Sequence, residues 1–232
     1  MLLLDAGNTR TAVATSDGRA VGPVRAVPTA DFRVPADGGL IAAVSVVPGI
    51  TRELRKRGDV FLLANEHAAK AGLDLSQVDA STLGADRLAN AVELAHQAIL
   101  PAVTIDFGTA IDCEIVDVRG VFRGGAIAPG RRLMLAGLAG GTAQLPDLAA
   151  GEVLREFPGT DTATTIAFGV DQGVLGMVKQ WLERITAMLG KRPRIVGIGG
   201  DARRYLAAIP GMEYGGADFT LKGLLYAWRR NC

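Results

Sequence analysis

Leu2-Leu3-Leu4-Asp5-Ala6-Gly7-Asn8-Thr9 and Val103-Thr104-Ile105-Asp106-Phe107-Gly108-Thr109-Ala110 decide how this chain is read. Each is a short apolar run of buried-strand type that ends in Asp-x-Gly, with a threonine within two residues. Each leads across a hairpin into a second strand-like run, at 11–15 and 113–118. Those runs close on matching turns, Ser16-Asp17-Gly18-Arg19 and Asp117-Val118-Arg119-Gly120. A stretch that returns together with its flanking turns is an internal repeat. The 232 residues are therefore expected to form two similar halves, 1–100 and 101–232, parted near Pro101.

Between and after the two copies the pattern alternates. Strand candidates lie at 39–47 and 60–64, with a basic helical stretch at 51–57. At 87–100, Leu88, Ala91, Val92, Ala95 and Ile99 recur at helical spacing, with Pro101 as the stop. In the second half a helix is expected over 169–189, with Val170, Val174, Met177, Val178, Trp181 and Ile185 as its buried stripe. A strand follows at 194–198, then a Gly199-Gly200-Asp201 turn and a helix at 202–208. Strands alternating with helices predict an α/β protein.

Composition narrows the classes. Hydrophobic residues make up 49% of the chain and the net charge is +1, which excludes a disordered chain. Twenty-five basic residues against 24 acidic ones, with no long basic run, leave no electrostatic footprint for nucleic acid or a membrane surface. The two cysteines, Cys113 and Cys232, make no disulfide framework or C-x-x-C metal spacing, and two histidines make no histidine-rich site. Three leucines before Asp5 fall short of a signal peptide's apolar core, and no run approaches the ~20 apolar residues of a membrane span. A soluble, cytoplasmic protein is expected. Glycine, 30 residues in all, runs well above the average of about 7%. That excess points to tight turns or to backbone approaching a ligand.

Three segments can carry chemistry. In Asp5-Ala6-Gly7-Asn8-Thr9-Arg10-Thr11-Ala12 a strand delivers a carboxylate to a turn of small residues, whose backbone N–H groups suit phosphate oxygens. The carboxylate suits Mg²⁺, which takes oxygen ligands and keeps several waters. One such turn alone reads first as an ordinary hairpin turn rich in Asn and Gly. The second copy, Asp106 to Thr109, allows a nucleotide to be held from both sides of a cleft. The P-loop spacing is absent, and Gly197-Ile198-Gly199-Gly200 lacks the full dinucleotide fingerprint, though its glycines leave room for a base or ribose. Gly84-Ala85-Asp86-Arg87 opens the clearest helix. Asp86 reads either as a helix cap or as a general base toward a substrate hydroxyl. Arg87 reads either as a bidentate carboxylate ligand or as a solvated arginine. Glycine-rich turns are expected at 124–130 and 140–146, flanking a helix at 131–138.

Taken in order, D-A-G-N-T-R-T, G-A-D-R, D-F-G-T-A, G-G-A-I-A-P-G, T-A-x-L-P and Asp161-Thr162…Gly169…Gly173 resemble type III pantothenate kinases, of the acetate/sugar kinase–Hsp70–actin superfamily. The resemblance implies two duplicated ribonuclease-H-like lobes around a nucleotide cleft, the actin-like ATPase fold. It also implies ATP-dependent phosphorylation of pantothenate, the first step toward coenzyme A. It assigns Asp5, Ala6, Gly7, Asn8, Thr9, Arg10, Thr11, Ala12 and Thr109 to ATP, and Asp5 also to Mg²⁺. Asp106 goes to a monovalent cation, usually K⁺. Gly84, Ala85, Asp86, Arg87 and Thr162 go to pantothenate, with Asp86 as proton acceptor. A homodimer is implied as well. Gln77 stands where the family usually has a pocket tyrosine, and Asp112-Cys113 stand where it has threonine and other small or apolar residues. Two other readings fit the residues: a kinase of the same superfamily for another small hydroxyl compound, such as a sugar, and an ATP-binding regulatory protein without catalysis.

Overall fold

The structure, a computed structural model, describes residues 1–36, 38–149 and 157–232. Its first sheet holds β1 (Leu2–Ala6), β2 (Arg10–Thr15), β3 (Arg25–Pro28), β4 (Ile41–Ser45) and β5 (Val60–Leu62), in the order β3-β2-β1-β4-β5. β1 and β2 form the expected hairpin, and β4 and β5 continue the sheet in parallel. Helix α1 (Pro48–Arg55) is the crossover between β4 and β5, and α2 (Ala85–Gln97) precedes the second sheet. That sheet holds β6 (Ala102–Phe107), β7 (Ala110–Val116), β8 (Phe122–Pro129), β9 (Arg194–Ile198) and β10 (Met212–Tyr214). Their order, β10-β9-β6-β7-β8, reproduces the first sheet reversed, with β6–β7 as the second hairpin. The remaining helices are α3 (Arg131–Gly141), α4 (Thr162–Leu189), α5 (Ala202–Tyr205) and α6 (Phe219–Asn231).

Strand alternation sorts the core into layers. On β1, Leu4 and Ala6 pack outward on α1, together with Ile50 and Leu54. Leu3 faces inward, toward Leu88 and Val92 of α2 and Leu224 of α6. On β6, Val103, Ile105 and Phe107 face Val174, Val178 and Ile185 of α4. Ala102 belongs with α2 and α6. The two helices are thus the filling between the sheets. Asp5 shares its face with Leu3, and Asp106 with Ala102 and Thr104, so both carboxylates point into the middle layer near the start of α2.

Several sequence expectations are corrected. Helix α2 stops at Gln97 because Ala98 takes left-handed backbone (φ 55°), short of Pro101, and Ile99 is 58% exposed instead of buried. Helix α4 begins at Thr162, not 169. Asp161 caps it by accepting the Thr164 N–H, and Met177 and Trp181 lie only partly buried along its stripe. The helix expected at 202–208 is one α turn followed by a 3-10 turn. Residues 124–129 lie in strand β8 instead of forming a turn, and Gly125 lacks a side chain for steric reasons. A Cβ there would sit 1.6 Å from the Cys113 carbonyl oxygen. Helix α6 has no counterpart among the sequence expectations.

Candidate active site

The two repeated turns meet. In the first, the Gly7 N–H donates to the Arg10 carbonyl at 3.1 Å, and in the second the Gly108 N–H donates to the Ala110 carbonyl at 3.0 Å. The Thr9 and Thr109 hydroxyls then lie 2.8 Å apart. Each turn is braced from behind. The Thr29 hydroxyl donates to the Gly7 carbonyl at 2.7 Å, while the Gly130 N–H donates to the Thr109 carbonyl and the Asp201 N–H to the Phe107 carbonyl. Asn8, Thr9 and Arg10 stand exposed at the mouth, and Ala12 lies opposite Asp5 across the hairpin.

Asp86 occupies the second position of α2, with Gly84 as the residue before the helix. It is therefore not the cap. Its Oδ1 turns back to accept the Arg87 N–H at 2.8 Å. Gly84 makes this possible, since a Cβ there would stand 2.6 Å from that oxygen. Arg87 is not a solvated surface arginine. Its Nε donates to Glu114 Oε1 at 2.9 Å and its Nη2 to the Cys113 carbonyl at 3.3 Å. Glu114 is fully buried, and its other oxygen accepts the Thr104 hydroxyl at 2.6 Å.

Cross-strand register completes the group. Asp106 pairs with Asp112, and Thr104 with Glu114, so these side chains stand on the inner face within reach of each other. The first repeat has Ala12 where the second has Asp112. Asp112 Oδ1 is buried with no hydrogen-bond partner among the described residues. Gly199, at φ +88°, lets the β9–α5 turn close over Asp106. A Cβ there would lie 2.2 Å from Asp106 Oδ1, which explains this glycine by packing against the carboxylate. Thr162 is exposed at the start of α4, with no described contact to the acid group, and Gln77 is also exposed.

One guanidinium among so many carboxylates leaves an excess of negative charge. Burial, and then the Asp86 charge, push Asp5 up to about 7. Asp106 rises to about 8 through burial and the charges of Glu114, Asp5 and Asp86. Asp112 rises furthest, to about 10, through burial, Glu114 and Asp106. A carboxyl whose folded pKa exceeds its unfolded 3.8 contributes stability below that value and loses it as pH climbs through the folded value. The ligand-free protein is therefore expected to lose thermal stability between pH 6 and 10. A series of melting curves checks this, and a melting temperature that holds or rises over that range would contradict the charge assignment.

Glu114 and Asp112 were not assigned roles from the sequence. Their signal was available in the hairpin register, which turns every second residue of 110–116 toward Asp106.

Two acid-floored hairpins facing across a helix layer define an actin-like, ATPase-type α/β fold of two lobes. Solved structures share it. A protein from Campylobacter jejuni described as a conserved Baf family transcriptional activator superposes with a TM-score of 0.71, at 18% identity, covering 100% of this chain and 98% of that one. Lmo2764 from Listeria monocytogenes, described as an N-acetylmannosamine kinase, gives 0.53 at 12% identity, covering 99% and 98%. The narrower assignment comes from sequence relatives. Residues 1–184 match the type III pantothenate kinase family. The type III pantothenate kinase of Akkermansia muciniphila is 34% identical over 97% of both chains. This chain belongs to the type III pantothenate kinase family.

Proposed function

We propose that this protein transfers the terminal phosphoryl group of ATP to the primary hydroxyl of pantothenate, opening the route to coenzyme A. The observation that carries the reading is the meeting of the two Thr-bearing turns beside Asp5 and Asp106, with Asp86 close enough to raise Asp5. Phosphoryl transfer asks a protein mainly for position and charge neutralisation. In this reading the backbone of residues 5–12 and the Thr109 side chain hold the phosphates. Asp86, aimed by the Arg87 N–H, takes the proton of the attacking hydroxyl. Gly84, Ala85, Arg87 and Thr162 shape the acceptor pocket. Arg87 does so while held by Glu114, which leaves it a fixed wall and not a free clamp.

The donor set suits hard cations. Asp5 and Asp106 are oxygen ligands whose proton affinity is raised first by burial and then by neighbouring negative charge, and that charge also attracts a metal ion. No group of three or more His, Cys, Asp or Glu among the described residues could hold a metal by itself. Mg²⁺ is commonly held by one or two carboxylates plus substrate phosphates. We assign Mg²⁺ to Asp5 and a monovalent cation, K⁺, to Asp106. These ions supply charge neutralisation at the phosphates. The same reading takes 1–100 and 101–232 as the two lobes, with α6 returning to pack on the first, and takes the protein as a cytoplasmic homodimer. No helix of the described residues is long and apolar enough to cross a membrane.

The test is a coupled ADP-release assay with Mg²⁺ and ATP, run with pantothenate and with a panel of sugars, in potassium and then in sodium. Turnover that depends on pantothenate and is several-fold faster in potassium is expected. Turnover with a sugar but not pantothenate would move the acceptor assignment, with exposed Gln77 the first residue to examine. Equal rates in both salts would remove the Asp106 ion.

A further inference from the structure

Seven residues beyond Asp86, about 10 Å along α2, a cavity of about 390 Å³ opens between α2, α6 and the β2–β3 connection. Its lining includes Arg19, Glu93, His96, Lys222, Tyr226 and Arg229. Glu93 is only 3% exposed. Its Oε1 accepts the Gln97 amide at 2.7 Å, but its Oε2 is buried without a partner among the described residues. A buried acceptor left unmet is costly and calls for an explanation, a bound group that supplies the missing donor being one. Lys222 is taken by Asp218 at 2.9 Å, whereas Arg19 and Arg229 form no ion pair among the described residues. The His96 and Tyr226 rings stack at 3.7 Å, forming an aromatic wall beside the two arginines. The volume lies in the range of small-molecule sites.

We propose that this cavity is a second ligand site, built for a mononucleotide whose base carries an exocyclic amine. Its phosphate sits on Arg19 and Arg229, its base lies against the His96–Tyr226 stack, and its amine donates to Glu93 Oε2. Each group of the ligand answers a feature of the cavity. The arginines call for an anion, the ring stack for a planar partner, and the orphan oxygen for an N–H donor. Inorganic phosphate would meet only the first, and a nucleoside only the other two. Burial holds the Glu93 carboxyl above its usual range, as expected of an acceptor still lacking its donor. The cavity is independent of the acceptor of the phosphoryl transfer.

The test is calorimetric titration of AMP into the full chain with the cleft filled by Mg²⁺ and a non-hydrolysable ATP analogue. One AMP per chain is expected, with adenosine and inorganic phosphate each at least tenfold weaker. The Arg19→Ala/Arg229→Ala double variant, which changes exposed side chains only, should weaken AMP at least tenfold, leave adenosine unchanged, and leave phosphoryl transfer at its normal rate. Glu93→Gln gives the sharper reading. With its oxygen taken by Gln97, its amide N–H₂ replaces Oε2, so preference should swap from AMP to IMP, whose base presents a carbonyl there. Absence of AMP binding, AMP binding only in competition with the ATP analogue, binding unchanged in the arginine variant, or no swap in Glu93→Gln would each overturn the proposal.

Discussion

Asp86→Asn is expected to lower turnover by about 10²–10⁴-fold, the range of a lost general base, with little change in the ATP concentration needed for half-saturation. The substitution is mild for the fold. Asparagine keeps the Oδ1 that accepts the Arg87 N–H and the room that Gly84 leaves for it. It also removes one of the charges that raise Asp5, so the variant should melt higher than the parent above pH 7. Loss of turnover together with a gain in alkaline stability separates a catalytic carboxylate from a structural one. Near-full activity in a folded Asp86→Asn protein would end the assignment of Asp86 as base.

Arg87→Met should be the most damaging single change to the fold around the site, costing about 3–5 kcal/mol at neutral pH, the scale for removing one partner of a buried ion pair. Arg87 keeps 17% of its side chain exposed and Glu114 none, so water cannot take over the guanidinium's role. Glu114 would then be left near Asp106 with the Thr104 hydroxyl and the Asp112 carboxyl as its remaining hydrogen-bond partners. The penalty should shrink as pH falls, because burial already raises the Glu114 carboxyl and, without Arg87, it takes a proton more readily. Adding Glu114→Gln should recover much of the loss, since it removes the stranded charge. Urea denaturation of the single and double variants measures both effects. Equal stability of Arg87→Met and the parent would mean that the pair contributes nothing to holding the start of α2 on β7.

Legibility differed by level. The repeated Asp-x-Gly turns, both hairpins, the strand Arg194–Ile198 and most helices could be read directly, because each depends on local periodicity and turn chemistry. Element ends were less readable. Helix α2 ends on a left-handed alanine, a choice local spacing does not encode, and β8 carries glycines that resemble turn residues but serve close packing on Cys113. Helix α6 had no counterpart in the sequence reading, although it shares the middle layer with the legible α2.

By itself the sequence determined the α/β class, the internal duplication, the absence of a P-loop and the residue types available at two strand ends. These are properties of short segments, set by side-chain period and by the few residues that tolerate tight turns. Only the tertiary structure decided which of those residues meet. Strand alternation turns Asp5 and Asp106 toward the same middle layer, and register sets Asp112 and Glu114 beside Asp106. The start of α2 brings Asp86 and Arg87 to that floor, where the arginine binds a buried glutamate instead of waiting for a ligand. Proton affinities near 7 and 8 for Asp5 and Asp106 follow from that convergence, because burial and neighbouring charge arise only when distant segments share one low-dielectric space.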